Sequence, residues 1–523
     1  MSSDKPNILF IQVDQLTASR LACYGNSVSI APTISQIAET GVVFDRAYSN
    51  FPLCAPSRFS MLSGRLASDI EAYDNGSEFM SSIPTMAHFL RAAGYQTCLV
   101  GKMHFVGADQ LHGYESRLTT DIYPADFGWT GDWTEVTQKH SNDLRSFSKA
   151  GICIRNPQME YDEEISHRAQ RKLYDIVRNR ETDNRPFFLT LSYTHPHDPY
   201  QCRQEHWDLY QHENIDMPLV ERPVDGEDPY SQRLRLQYGL NRADKGANEV
   251  TNEMIRIARH AYYGSISYVD QEIKKVLDTL KETGLDENTV IVFTSDHGDM
   301  LGERGLWYKK SFFEDSVRVP LLISGPTIKA QRCSLPVSLV DLAPTLVNIA
   351  DYDGALRERP RSQKLIDQFE GCDLLGLIEG GSEDRPDDRV IYAENLAEGA
   401  MAPIVMVCSK RYKYIQSGCD PEQLFDLVAD PLELTNQAEN SNYQDVVVKM
   451  RSLTAKRWDL DELHKRVEQS QNKRLFVRSV LGPKASFDWD FAAEDQASDQ
   501  CLRADRTYNE WAYDDVIGLR KPV

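Results

Sequence analysis

The chain has no apolar run long enough to cross a bilayer, no close cysteine pair and no surplus of positive charge. Stretches such as "NILFIQV" stop well short of the roughly 20 apolar residues a membrane helix needs. The opening "MSSDKPNILFIQVD" carries no basic n-region and no small-residue cleavage site, so it does not read as a secretion signal. Ten cysteines (23, 54, 98, 153, 202, 333, 372, 408, 419 and 501) are scattered without a C-x-x-C pair. That pattern argues against structural zinc and against a disulfide framework, and predicts mostly reduced thiols in a cytoplasmic protein. With 58 basic against 79 acidic residues the formal net charge is −21, which excludes nucleic acid and anionic membrane as principal partners. The same charge repels anions at long range. An anionic substrate therefore requires a locally basic pocket or a compensating cation of its own.

Repeats and low-complexity linkers are also missing. What is present is 523 residues of ordinary globular composition, 41% hydrophobic and 26% charged, enough for two or three units around a large core. Four apolar runs read as buried strands and each ends in chemically useful residues. "NILFIQVD" ends at Asp14, "YQTCLVGKMH" at Lys102 and His104, "RPFFLTLSYTHPH" at His195 and His197, and "TVIVFTSDHGD" at Asp296 and His297. Helical patterns lie between them, at 83–94 and at 265–284, the latter closed by a glycine. Short apolar strands alternating with amphipathic helices predict an α/β fold with a mostly parallel sheet covered on both faces. Ligands in such folds bind beyond the carboxyl ends of the strands, where these residues fall.

From about residue 380 the pattern shifts to shorter strands with turn residues and a helix near 442–468. We therefore divide the chain into a catalytic α/β domain (1–380), a C-terminal α+β subdomain with a small antiparallel sheet (381–485) and an acidic, aromatic extension (486–523) at an oligomer interface.

Asp14, Asp296 and His297 at strand ends can share a divalent cation, and carboxylates suit a hard ion better than zinc. Taken alone, each aspartate could equally cap a following loop. Lys102, His104, His197 and Lys309 supply the ammonium and imidazole donors that stabilise a multiply charged tetrahedral oxyanion, one histidine protonating the leaving oxygen. Spacing does not rank Lys309 above Lys310, or His197 above His195. "CAPSRFSMLSGR" opens a helix: Pro56 fits its first turn, the free N–H groups favour an anion, and Arg58 can meet a carboxylate or a sulfate oxygen. A thiol at Cys54 is activated in that setting.

"CAPSR…SGR" closely resembles the signature of the type I sulfatases, in which the C-x-P-x-R cysteine is oxidised to formylglycine by a dedicated enzyme. Further blocks resemble the family in the same order: "APTISQIAETGVVFDRAYSN", "GYQTCLVGKMHF", "THPHDPY", "VIVFTSDHGDMLGERGLWYKKSFFEDSVRVPLLISGP" and "LVDLAPTLVNIA". The resemblance implies the alkaline phosphatase and sulfatase fold, with Cys54 as hydrated formylglycine serving as nucleophile. It implies metal ligation by Asp14, Asp296, His297 and modified Cys54, with Ca2+ first and Mn2+ or Mg2+ as alternatives. It also implies catalytic roles for Arg58, Lys102, His104, His197 and Lys309. One departure is Asp14-Gln15, where many sulfatases have Asp-Asp. Gln15 is the weaker ligand and is similar to the phosphonate monoester hydrolase and choline-sulfatase branches.

Other segments, "YPADFGWTGDW" and "ENLAEGAMAPIVMV" among them, resemble the choline-sulfatase branch. A trimethylammonium head calls for aromatic faces and a carboxylate. The resemblance assigns substrate contacts to Asn75, Trp129 and Glu394, with Asp499 of the tail completing a neighbouring subunit's pocket in a homo-oligomer, dimer or tetramer. Choline-O-sulfate, having no net charge, also evades the repulsion of the acidic surface. The alternatives are a phosphonate monoester or phosphodiester hydrolase of the same superfamily, and a non-catalytic relative with unmodified Cys54.

Overall fold

The computed structural model describes residues 5–123, 126–135, 143–221, 227–240, 250–351, 354–378, 389–481, 507–514, 516 and 519. Its centre is an eight-stranded sheet made of β1 (Asn7–Val13), β2 (Gly41–Phe44), β3 (Gln96–Gly101), β4 (Ser116–Arg117), β5 (Phe187–Ser192), β6 (Thr289–Ser295), β7 (Leu321–Ser324) and β8 (Gln331–Cys333), in the order β8-β2-β7-β6-β1-β5-β3-β4. The inner run β6-β1-β5-β3 is wholly parallel, and only β7 runs against its two neighbours. Every β1 residue from Ile8 to Val13 is buried, as a strand covered on both faces requires.

Register decides where the chemistry lands. Val13 pairs with Ser295, Gln12 with Ser192 and Gly101 with Ser192, so the four parallel strands end at one level. The next residues on three of them are Asp14, Asp296 and Lys102, and His195 and His197 follow Ser192 in the adjoining loop.

Helices that pack around the sheet include α1 (Pro32–Thr40), α2 (Cys54–Ser63), α3 (Met86–Ala92), α4 (Pro157–Arg178), α5 (Asn252–Glu282) and α6 (Leu342–Ala350). One group packs α4 and α1 on α5, and a second packs α2, α3 and α6 together. The helix seen in the sequence at 265–284 starts earlier, at Asn252, because the Thr251 hydroxyl caps it by accepting from the Met254 amide. Among the described residues no helix is long and apolar enough to cross a membrane.

A second sheet, β9 (Ile391–Asn395), β10 (Ile404–Cys408), β11 (Tyr412–Ser417) and β12 (Gln423–Asp426), is antiparallel throughout. The single helix expected near 442–468 is two, α7 (Gln444–Arg457) and α8 (Leu460–Leu481). Trp458 between them is extended and buried, and its indole N–H donates to Glu394 of β9 within the same subdomain. A continuous helix would give up that contact. Of the acidic extension, α9 (Tyr508–Asp514) is described, and it packs against α4 of the same chain. Asp499 lies outside the described residues.

Candidate active site

Cys54 is the first residue of α2, a helix buried along its whole length. No side chain caps Leu53 ahead of it, and the Ala55 N–H instead donates to Asn75 Oδ1 at 3.0 Å. Pro56 has no N–H to satisfy. Asn75 thus anchors the helix that carries the thiol.

Around Cys54 Sγ the structure gathers His297 Nε2 at 3.2 Å, Lys309 Nζ at 3.5 Å and Lys102 Nζ at 3.9 Å, with a side-chain hydrogen bond to His104. Burial opposes ionisation of the thiol, but Lys102, Lys309, His297 and the His104 bond outweigh it and hold its pKa well below the ordinary value. The Asp14 carboxyl is likewise depressed: burial and the Cys54 thiolate raise it, while Lys102, His197 and Arg58 bring it down further.

Arg58 is wholly buried and its donors are spoken for. Its guanidinium donates to Asp14 Oδ2 at 2.7 Å, Asp296 Oδ2 at 2.9 Å, the Lys102 carbonyl at 2.7 Å and the Ser192 hydroxyl at 2.7 Å. Of the two partners open to it in the sequence, carboxylate or anionic substrate, it takes the carboxylates. It is a strut joining four strand ends.

The donor set fits a cation. Asp14, Cys54, Asp296 and His297 each present a ligand atom within 4.8 Å of the others, and all four are buried. Among the described residues Asp14 Oδ1 has no hydrogen-bond partner, and it lies 4.0 Å from His297 Nε2 and 3.9 Å from His197 Nε2. A buried carboxylate oxygen left without a donor among ligand-bearing side chains is what a metal would satisfy.

Geometry separates the pairs that spacing left tied. Lys309 Nζ donates to Gln15 Oε1 at 2.7 Å and to His197 Nε2 at 2.7 Å, whereas Lys310 pairs with Glu398. His197 Nδ1 donates to the Asp198 carbonyl at 2.6 Å, leaving Nε2 toward the thiol side, whereas His195 Nδ1 is bound to Asp162 at 2.7 Å. Gln15 and His104 both hold left-handed backbone, with φ of 63° and 62°. Such strain concentrates where surrounding contacts over-determine a functional side chain.

His104 stacks on Tyr123 with ring centroids 4.1 Å apart, and Lys102 Nζ donates to the Tyr123 hydroxyl at 2.9 Å. Trp129, on a short turn capped by Asp126, stands edge-on to Tyr123 at 5.2 Å and to His104 at 5.8 Å. Tyr508 of α9 leans on Tyr123 at 4.7 Å and meets His197 edge-on at 5.5 Å. The second tryptophan, Trp133, is a packing residue whose indole N–H donates to the Ala397 carbonyl at 2.9 Å.

The expectation for Glu394 is not met. Its buried carboxylate accepts from the Ser68 amide, the Ser68 hydroxyl and the Trp458 indole, so it ties the subdomains together. Four residues on, Glu398 Oε2 has no hydrogen-bond partner among the described residues. A Cβ at Gly131, two residues past Trp129, would lie 3.1 Å from the Glu398 amide nitrogen. Sequence reading missed Tyr123, Glu398, Asp198, Asp299 and Tyr508. The only signals were the aromatic density of "YPADFGW" and of the tail, and a second acid beside each histidine motif.

Comparison with known proteins bears on this geometry. The sulfatase family profile matches residues 6–352, and the profile of the N-sulphoglucosamine sulphohydrolase C-terminal region matches residues 302–459. A choline-sulfatase of Rhizobium meliloti is 43% identical over 511 residues, covering 96% of this chain and 96% of that protein. Among solved structures, one in complex with its substrate D-glucosamine-2-N,6-O-disulfate superposes with a TM-score of 0.65 at 21% identity, covering 89% of this chain and 99% of that one. The phosphonate monoester hydrolase of Agrobacterium radiobacter gives a TM-score of 0.65 at 21% identity, covering 88% and 96%. At that identity both speak for the fold alone.

Proposed function

The chain belongs to the sulfatase family and hydrolyses sulfuric esters, and on that premise we propose that its substrate is choline-O-sulfate. The observation that carries this reading is the aromatic group Tyr123, Trp129 and Tyr508, whose rings touch His104 and His197 beside Cys54. Aromatic faces attract a quaternary ammonium by about 0.5–2 kcal/mol, most where water is excluded. Glu398, with one oxygen on Lys310 and the other unpartnered among the described residues, is the carboxylate we assign to the cationic head in place of Glu394. The 43% identity to a choline-sulfatase over nearly the whole chain supports the same substrate.

In this reading Asp14, Asp296, His297 and the Cys54 position hold one divalent cation, Ca2+ in the first place given two carboxylates. Such a cation supplies Lewis acidity toward a sulfate oxygen and lowers the pKa of a coordinated hydroxyl. Formylglycine at position 54, installed by a formylglycine-generating enzyme, supplies a geminal diol in place of the thiol. The remaining residues act directly. Lys102, His104 and Lys309 converge on Cys54 and donate to the equatorial sulfate oxygens as charge builds on them. His197 holds its Nδ1 proton on the Asp198 carbonyl and accepts from the Lys309 ammonium at Nε2, so the proton for the leaving alkoxide comes from this Lys309–Nε2 pair. Arg58 keeps Asp14 and Asp296 aimed, and Asn75 keeps the helix start in place. The same reading includes a cytoplasmic homo-oligomer.

Trp129→Ala tests the substrate assignment. It is expected to raise KM for choline-O-sulfate about tenfold, as a cation–π loss of about 1.4 kcal/mol gives, with a smaller effect on an aryl sulfate that has no cationic group. Equal losses on both substrates would make Trp129 structural and defeat the assignment.

A further inference from the structure

Gln15 sits between groups of opposite charge. Its amide nitrogen donates to Asp299 Oδ2 at 2.6 Å and to Asp198 Oδ1 at 3.3 Å, and its carbonyl oxygen accepts from Lys309 Nζ at 2.7 Å. Gln15 and Asp299 are both wholly buried. An amide with carboxylates on one side and an ammonium on the other has a single workable orientation, because the flipped amide would set its carbonyl against Asp299 and its N–H groups against Lys309.

Asp299 itself is held without freedom to turn. Its Oδ1 accepts from the Leu301 amide at 2.9 Å and the Tyr308 amide at 2.9 Å, and its Oδ2 accepts from Gln15 and from the Tyr200 hydroxyl at 2.9 Å. All of these partners donate, so Asp299 serves only as an acceptor. The Lys309 ammonium in turn has three donor directions, and Gln15 Oε1, His197 Nε2 and Cys54 Sγ occupy them. If the Gln15 carbonyl leaves, the ammonium loses the contact that aims it between His197 and position 54.

We propose that Asp299 is a positioning residue that acts through the Gln15 amide to aim the Lys309 ammonium at the reacting centre. This also accounts for the Gln at position 15. An aspartate or glutamate there would meet two buried carboxylates, Asp198 and Asp299, across hydrogen-bond distance. The inference rests on the sulfatase chemistry assigned to this site, and its failure is separable from failure of that assignment.

The test is a swap in the full-length, mature enzyme, with kcat and KM measured on an aryl sulfate so that choline recognition plays no part. Asp299→Asn keeps the acceptor for Leu301 and Tyr308, and the Tyr200 hydroxyl can reverse to accept from the new amide. Only Gln15 is left facing N–H against N–H, or else flipped with its N–H groups toward Lys309. Gln15→Glu alone sets a carboxylate against Asp299. Each single variant is expected to lose about 10–100-fold in kcat/KM, chiefly in kcat. Asp299→Asn combined with Gln15→Glu keeps the net charge and restores a donor at 299, an acceptor at 15 and a carboxylate for Lys309. Position 15 still faces Asp198 in the double variant, so the double is expected to exceed Gln15→Glu, in which both carboxylates remain. A double variant no better than Gln15→Glu, or an Asp299→Asn enzyme within twofold of wild type, overturns the proposal. If Asp299→Asn does not yield folded protein, Gln15→Glu decides: a loss of at least tenfold at unchanged thermal stability upholds it, and activity within twofold overturns it. An inactive wild type would instead refute the sulfatase assignment.

Discussion

Replacing Arg58 with methionine removes a guanidinium from between two carboxylates while leaving most of the volume filled. The side chains of Arg58, Asp14 and Asp296 are 0% exposed, so no water takes over the lost bonds. Stripping one partner from a buried ion pair costs about 3–5 kcal/mol, because a charge is left in a medium that solvates it poorly. Two such pairs are broken here, together with bonds to the Lys102 carbonyl and the Ser192 hydroxyl. The losses share one side chain and are not additive, and Lys102 still faces Asp14. We therefore expect about 4 kcal/mol of destabilisation, read as a lowered urea midpoint at unchanged slope in chelator-treated protein. The readout does not depend on maturation of Cys54, which a signature variant would also disturb. A stability loss under about 1 kcal/mol, with an altered KM for sulfate esters, would refute the strut and return Arg58 to the substrate.

Two more outcomes follow from the geometry. Mass spectrometry of the peptide containing Cys54, isolated from the native host, is expected to show an aldehyde or its hydrate, and a quantitatively free thiol would remove the proposed nucleophile. Glu370 gives a pH test away from the site. Burial lifts its carboxyl, Asp69 adds to the rise and Arg457 opposes it, for a value of about 7. A folded pKa above the unfolded one means stability fully present at low pH and lost as pH climbs from about 4.5 through 7. Thermal melts of Glu370→Gln should lack that decline, so the variant gains on wild type between pH 5 and 8; parallel curves would refute the assignment.

Much of this site was legible because it hangs on strand ends. Asp14, Lys102, His197 and Asp296 follow apolar runs, and the parallel register brings Asp14, Lys102 and Asp296 level. Cys54 was legible from its neighbours Pro56 and Arg58. The choice of His197 over His195 was beyond spacing alone, since it turns on Asp162 holding His195 and Asp198 holding His197. Glu394 misled because its segment is near the site in sequence but its carboxylate points to Ser68 and Trp458. Tyr508 was hidden for a different reason: a short aromatic helix more than 300 residues beyond His197 has no local periodicity that foretells its contact. Asp299 carries no signal in sequence beyond being an acid two residues after His297, and its role emerges only from the four donors around it.

The central claim, a sulfatase built around a cationic head group, is tested most directly by kcat/KM. The matured enzyme should be assayed on choline-O-sulfate, an aryl sulfate without a cationic group, an aryl phosphonate monoester and a phosphate diester under one condition. The account predicts that choline-O-sulfate has the highest value. A phosphonate or phosphate ester ranking above it would contradict the account.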